Sequence, residues 1–401
     1  MDFDVLILGC DANAYYMARC CHEAYHKKPH LIGTKRLSFV KYSNIFTIEY
    51  KDIWDEKIFV KTLNEYANNS NNKVLVISTN ETYSEFLANN INILDKKLIF
   101  PKQSAKVIKT LTNKELFYKT YEDSCLKFPK TIYYKIGSKE LLPNIDYPIV
   151  IKPANVVSYN HISFAGKEKI YQVKSKEQAE EIVNLLFTSG YDDTIIMQEF
   201  IPGDDSYLYD AVCYVDTKGK VKVLSFAEIG IQERDKYMIG NAAALINGVN
   251  FHDGPVEQMK KDIICFMEQL GMNGFYEFDL KYDYRSKQFK VLEINARQGR
   301  CSYYLTPLGA NLVEVEVDDL IKNEDLPYKE LNDKVLLSFV PKSIIKKYCL
   351  NDEFKKCTLK MWKHRVSPME YKGDTSIKRF LMIKKRLLHY KKEYEGSTWE
   401  E

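Results

Sequence analysis

The first hundred residues constrain the fold most, because short apolar runs alternate there with helix-forming stretches. Asp4-Val-Leu-Ile-Leu-Gly9 is an apolar run that stops at a glycine, and Ala12 to Tyr25 follows it with helix formers. A strand covered on both faces reads as continuous apolar sequence, so this pairing predicts a parallel strand feeding a helix. His30-Leu-Ile-Gly33 and Lys73-Val-Leu-Val-Ile-Ser78 repeat the pattern, with a helix predicted from Asp55 to Ala67 between them. Strands that alternate with helices build an α/β layer around a parallel sheet. A nicotinamide-binding version of that layer is disfavoured. Gly9-Cys-Asp-Ala-Asn-Ala-Tyr15 holds one glycine where a dinucleotide loop needs three, and His30 to Thr34 lacks the acidic residue that would hold a ribose. The layer then reads as a scaffold with a substrate-facing edge at Asp11, Asn13 and Arg19. The plainer reading is helix capping by Asp11 or Asn13 and a surface position for Arg19.

Beyond Pro101 a helix is predicted over Thr112 to Asp123, with Thr112 or Asn113 near its N-cap. Two strand-like runs, Tyr147 to Lys152 and Lys169 to Val173, flank a polar loop; a helix at Lys176 to Phe187 and a strand at Thr194 to Ile201 follow, closed by Pro202-Gly203. Runs at Asp210 to Val215, Lys220 to Phe226, Gly274 to Tyr282 and Gln288 to Asn295 predict a largely antiparallel sheet with the Val256 to Leu270 helix packed on it. The chain divides accordingly into residues 1–103, a linker helix and small subdomain at 104–198, a sheet subdomain at 199–330, and a C-terminal segment at 331–401.

Charge and cysteine usage narrow the setting. Val335 to Glu401 carries 16 Lys/Arg against 8 Asp/Glu, a surplus that the rest of the chain does not share. A solvated face is the plain reading of such a tail, and attraction to a phosphate-bearing, nucleic-acid or lipid partner the sharper one. No run approaches the ~18 apolar residues of a membrane helix, and Met1 to Asp4 opens no leader pattern. Nine cysteines without a Cys-x-x-Cys pair suggest neither a disulfide framework nor a zinc site. A reduced cytoplasm is the expected location.

The segment richest in chemistry is Lys290-Val-Leu-Glu-Ile-Asn-Ala-Arg-Gln-Gly-Arg300, where a strand places Glu293, Asn295 and Arg297 on one face. Carboxylate and amide oxygens suit Mg²⁺ bridging nucleotide phosphates, with Asp279 from the neighbouring strand as a further ligand. Arg297 and Arg300 could grip a transferring phosphoryl group or a carboxylate. Lys152 closes an apolar strand and could aim its ammonium at phosphates. Gln198-Glu-Phe-Ile-Pro-Gly203 could frame a purine beside Asp204 and Asp205, although a strand ending in a Pro-Gly turn is the commoner explanation. Singly, each has a bland structural explanation.

Taken in order, Lys114, Ile-Lys152-Pro, Gln198 to Gly203, Asp279 and Glu293 to Arg300 resemble the ATP-grasp superfamily over residues ~110 to ~310. The resemblance implies an ATP-grasp fold with an N-terminal Rossmann-like domain and a small lid. It assigns Lys114 and Lys152 to nucleotide phosphates, and Gln198 to Ile201 to an adenine hinge using backbone at Glu199 and Ile201. Asp205 falls to ribose, and Asp279, Glu293 and Asn295 to magnesium. Leu8 to Arg19 and His22 to Tyr25 are similar to the bacterial carboxylate–amine ligases that include D-aspartate ligase. That similarity implies ATP and Mg²⁺ as cofactors and an acyl-phosphate route. It also implies D-aspartate and the lysine side-chain amine of a peptidoglycan precursor as substrates, with no nucleic-acid partner. A ligase for small amino acids or another amide metabolite, and a nucleotide-binding regulatory module without turnover, are the alternatives. The lid of the superfamily is often glycine-rich, whereas Asn155 to Lys167 has only Gly166, leaving backbone N–H groups with Ser158, Asn160, His161 or Ser163 to cradle phosphate.

Overall fold

The computed structural model describes residues 2–137, 142, 145–235, 238 and 240–396. The alternating N-terminal pattern becomes β1 (Phe3–Leu8), α1 (Ala12–Tyr25), β2 (His30–Gly33), β3 (Thr47–Tyr50), α2 (Glu56–Asn69), β4 (Lys73–Ser78), α3 (Glu81–Asn89) and β5 (Leu98–Ile99). The five strands form a parallel sheet in the order β3-β2-β1-β4-β5. The strand order reverses between β1 and β4, so a crevice opens beyond their C-terminal ends, where such sheets bind ligands. Gly9 enters that crevice at φ 141°, and a Cβ there would lie 2.1 Å from Thr79 Oγ1.

The helix expected over Thr112 to Asp123 is α5 (Lys114–Tyr121), and a further short helix, α4 (Ala105–Thr112), precedes it. Asn113 divides them, its side chain accepting from Leu116 N at 3.0 Å as the N-cap of α5. Next come β6 (Thr131–Lys135), β7 (Ile149–Pro153), α6 (Val156–His161), β8 (Tyr171–Val173), α7 (Lys176–Thr188) and β9 (Thr194–Glu199). Their four strands make an antiparallel sheet in the order β6-β9-β7-β8. The expected polar loop after β7 therefore begins as a helix. Asn155 caps it by accepting from Ser158 N, and Lys167 Nζ donates to the Tyr159 and Ile162 carbonyls at its other end.

A seven-stranded sheet follows. It is built from β10 (Leu208–Val215), β11 (Val221–Gln232), β12 (Ala242–Asn247), β13 (Gly274–Asp283) and β14 (Gln288–Asn295), with α8 (Val256–Leu270) inserted after β12. A 3₁₀ stretch at Ser302–Leu308, α9 (Leu312–Glu316), β15 (Lys329–Leu331) and β16 (Val335–Ser338) complete it, in the order β14-β13-β10-β11-β12-β16 with β15 parallel to β11. The C-terminal segment adds α10 (Lys342–Tyr348), α11 (Asp352–Met361) and α12 (Ile377–Glu395).

The N-terminal layer and the large sheet share one core. Every residue of α1 from Ala12 to Cys21 is buried, because the helix is covered by its own sheet on one side and by residues 302–316 on the other. Tyr16 donates to the Gly299 carbonyl at 2.6 Å, and Asn311 Nδ2 donates to the Cys20 carbonyl at 3.0 Å. Arg19, expected at the surface, is buried too. Its guanidinium lies 4.0 Å from the Tyr303 ring centre and donates to the Ser367 and Glu370 carbonyls, tying α1 to the C-terminal segment.

The cysteines also depart from expectation, since the structure joins Cys125 to Cys265, 140 residues apart. The chain after α5 runs against the middle of α8, a meeting that no local spacing announces. Among the described residues no helix is long and apolar enough to cross a membrane.

Candidate active site

The lysines meet the acidic strands where the two antiparallel sheets face one another. Lys114, Phe117 and Tyr118 form the buried face of α5 at helical spacing. Tyr118 docks the helix on β14 by donating to the Leu292 carbonyl at 2.7 Å. That contact carries Lys114 Nζ to 2.9 Å from Glu293 Oε2. On β7, Lys152 points away from the core residues Ile149 and Ile151 and lies diagonally across from Gln198, which faces Val150. Lys152 Nζ donates to Gln198 Oε1 at 2.9 Å, and Gln198 Nε2 donates to Thr131 Oγ1 at 2.7 Å.

Opposite the lysines, Asp210, Asp279 and Glu293 occupy directly paired positions on β10, β13 and β14. One step along the sheet face, Glu277 pairs with Asn295, whose Nδ2 donates to Glu277 Oε2 at 3.1 Å. Gly299 makes room for that carboxylate, since a Cβ there would lie 1.5 Å from Glu277 Oε1. Four carboxylates on one face repel one another. Burial pushes Asp210 up to about 7, and burial with the charges of Glu277 and Glu293 raises Asp279 well above the ordinary carboxylate range. Glu277 is raised in the same way by burial and Asp210. Burial would raise Glu293 as well, but Lys114 and Lys169 overcome it and hold the carboxyl near 2. Lys152 is pushed down to about 7 by burial and by the Lys114 charge.

The face therefore holds one firmly ionised carboxylate beside three that ionise reluctantly. Among the described residues no three His, Cys, Asp or Glu side chains converge as a closed ion site. Asp279 and Glu293 with the Asn295 amide form instead an open, oxygen-only set whose mutual repulsion a divalent cation would relieve.

The remaining sequence-derived residues are placed less directly. Glu199 Oε1 accepts from Lys130 N at 2.9 Å, and its Oε2 lies 3.2 Å from Arg285, so the side chain pins β9 to the β13–β14 turn. Ile201 is buried just beyond β9. Asp205 is held by the Gln232 backbone and side chain and by Arg234 at 3.2 Å. Arg297 reaches towards the N-terminal crevice, with Nε 2.8 Å from Glu81 Oε1 and its other end 3.8 Å from Glu277. Arg300 is buried in an ion pair at 2.5 Å from Glu233, contacts Tyr390, and lies over the Phe339 ring. It is not brought to the lysines. In the lid, Ser158 is used inside α6, His161 and Ser163 are exposed, and the Asn160 side chain lies outside the described part.

Sequence reasoning missed Glu277, Asp210, Glu81 and Lys169. Glu277 was within reach, being two residues before Asp279 on the same strand face. Asp210 was not, because only strand pairing sets it opposite Asp279.

The chain is 31% identical to the D-aspartate ligase of Enterococcus faecium over 97% of its own length and 95% of that protein's. The chain belongs to the ATP-grasp carboxylate–amine ligases. No family model matches it. Among solved structures, this ATP-grasp ligase resembles the N5-carboxyaminoimidazole synthetase of Staphylococcus aureus complexed with ADP, at TM-score 0.63 and 13% identity, covering 89% and 87% of the two chains. It also resembles an L-amino acid ligase of Bacillus licheniformis, at TM-score 0.54 and 15% identity, covering 75% and 69%. These likenesses establish the fold. As an ATP-grasp ligase the protein binds ATP and joins a small carboxylate to an amine.

Proposed function

We propose that the γ-phosphoryl group of ATP passes to the carboxylate of D-aspartate, and that an amine then attacks the activated carbonyl and expels phosphate, leaving an amide and ADP. The observation that carries this reading is the meeting of Lys114 and Lys152 with the Asp279–Glu293 face in a chain akin to a D-aspartate ligase over nearly its whole length. Lys114 and Lys152 bind the phosphates. The Glu199 N–H donates to the Lys130 carbonyl, so the adenine hinge falls to the Glu199 carbonyl and the Ile201 N–H. Asp279, Glu293 and the Asn295 amide would hold Mg²⁺, which neutralises phosphate charge when bound. Asp205 serves a ribose only by exchanging its bonds to Gln232 and Arg234, and Arg300 grips an anion only by leaving Glu233.

The amino acid is placed in the crevice at the reversal of the N-terminal strand order. Arg297 supplies positive charge there for a carboxylate, while Glu81 and Asp11 supply negative charge for an ammonium group. The acceptor is the lysine side-chain amine of a peptidoglycan precursor, as the sequence resemblance implies, and the reaction belongs in the cytoplasm. Phosphate release with ATP and Mg²⁺ across a panel of D- and L-amino acids, with and without muropeptide acceptors, tests the substrates. Hydroxylamine in place of the amine should give a hydroxamate from the correct acid. ADP formation without hydroxamate, or production of AMP and pyrophosphate, would overturn the acyl-phosphate route.

A further inference from the structure

The last helix, α12, has two apolar faces. The inner one holds Ile383, Tyr390 and Tyr394, which are buried in the main core. Side chains advance about 100° per residue along a helix, so Ile377, Leu381 and Leu388 fall together on the opposite side. These are 77%, 61% and 62% exposed, and Phe380, about 60° round the helix from Ile377, is 59% exposed. Helical spacing alone divides these apolar positions between two sides, and the buried ion pair of Arg379 with Asp374, at 3.1 Å, fixes which side meets the core.

Lysines border the exposed stripe on both sides. Lys384 and Lys391 lie along one margin, with Lys378, Lys385 and Lys392 along the other. Among the described residues the one acidic side chain on that face is Glu395, at the helix end. Beside the start of the helix, Tyr42 is 54% exposed on a loop whose Lys41 carbonyl accepts from Arg379.

We infer that the outer face of α12 docks the protein on an anionic lipid surface. An apolar stripe between rows of lysines lets leucines enter the acyl boundary while the long lysine stems carry their ammonium groups up to the headgroups. Lying flat, the helix presents this arrangement from Ile377 to Lys392, over about 22 Å. A second copy of the chain fits the face poorly, since stacking two such faces sets lysine rows against lysine rows. The inference does not depend on the ligase reaction.

The test is flotation of the full-length protein with vesicles of phosphatidylcholine containing 30% phosphatidylglycerol, against pure phosphatidylcholine, at 0.1 M and 1 M salt. Binding is expected to the anionic vesicles at low salt and to fall at 1 M, where the Debye length shrinks to about 3 Å. Each lysine at such a surface strengthens binding about fivefold, so the triple change Lys384→Gln, Lys385→Gln and Lys391→Gln should weaken it about a hundredfold. Leu381→Ser with Leu388→Ser should weaken it at least tenfold at unchanged charge. Thermal midpoints near that of the parent show that both variants fold, as is expected for exposed positions. Protein that stays unbound with anionic vesicles at 0.1 M salt overturns the inference. So does equal binding by parent and both variants, or a concentration-dependent dimer that the leucine changes abolish.

Discussion

Lys152 offers a direct reading of whether this site is built for phosphates. With nothing bound, burial and the Lys114 charge hold its ammonium at about 7. At pH 8 about nine-tenths of the molecules then carry a neutral amine there, and at pH 6 about one-tenth. Phosphates arriving at Lys152 restore its affinity for a proton, so nucleotide binding should take up about 0.9 proton at this group at pH 8 and about 0.1 at pH 6. Other groups near the nucleotide also shift, which makes the useful quantity the difference between the parent and Lys152→Met. Methionine keeps the apolar stem beside Tyr118 and removes the titrating nitrogen. The assay is calorimetric titration with ADP in two buffers of different ionisation enthalpy, with chelator present so that divalent cations displace no protons from the carboxylates. Proton uptake at pH 8 should fall by about 0.9 in the variant, and the two proteins should nearly coincide at pH 6. Equal uptake by both at pH 8 would refute the assignment of Lys152 to phosphate.

Glu293→Gln and Asn295→Ala should each lower turnover by two orders of magnitude or more while shifting the thermal midpoint little; near-parental turnover by both folded variants removes the metal assignment. Arg300→Met leaves Glu233 buried without its cation and should cost about 3–5 kcal/mol in denaturant unfolding. Unchanged stability with lost turnover would show instead that Arg300 serves the substrate. Burial, with Asp319 nearby, raises Glu316 to about 8, so the folded chain keeps a proton that the unfolded chain gives up. Stability contributed by this group is full below about 4.5 and is lost as pH rises through 8. Glu316→Gln should flatten that slope in unfolding curves taken from pH 5 to 9, and an unaltered slope would show that Glu316 does not titrate there.

The parts legible in the sequence are those set by neighbours along the chain. The bounds of α1 and α8, the strands β2 and β4 and the Asn113 cap follow from local periodicity and capping chemistry, which need no distant partner. The same holds for the chemical face of β14, since alternate residues of a strand share a side whatever the strand pairs with. Tertiary structure decided what depends on residues far apart in sequence. β11 runs on to Gln232, beyond its apolar signal at Phe226, because β12 pairs with it from Ala227 to Gln232 while β10 holds its other edge as far as Glu228. Strand pairing set Asp210 against Asp279, and the packing of α5 on β14 gave Glu293 the cation that keeps it ionised. Arg300 carries the same guanidinium as Arg297 and lies three residues away, yet a buried glutamate from the end of β11 holds one while α3 of the N-terminal layer meets the other. The rotation of α12, and with it which leucines face water, was settled by Arg379 finding Asp374 and the Tyr15 ring in its first turn. Composition and spacing specify which side chains a helix or strand can present. The partner that each one meets depends on a fold that closes over hundreds of residues.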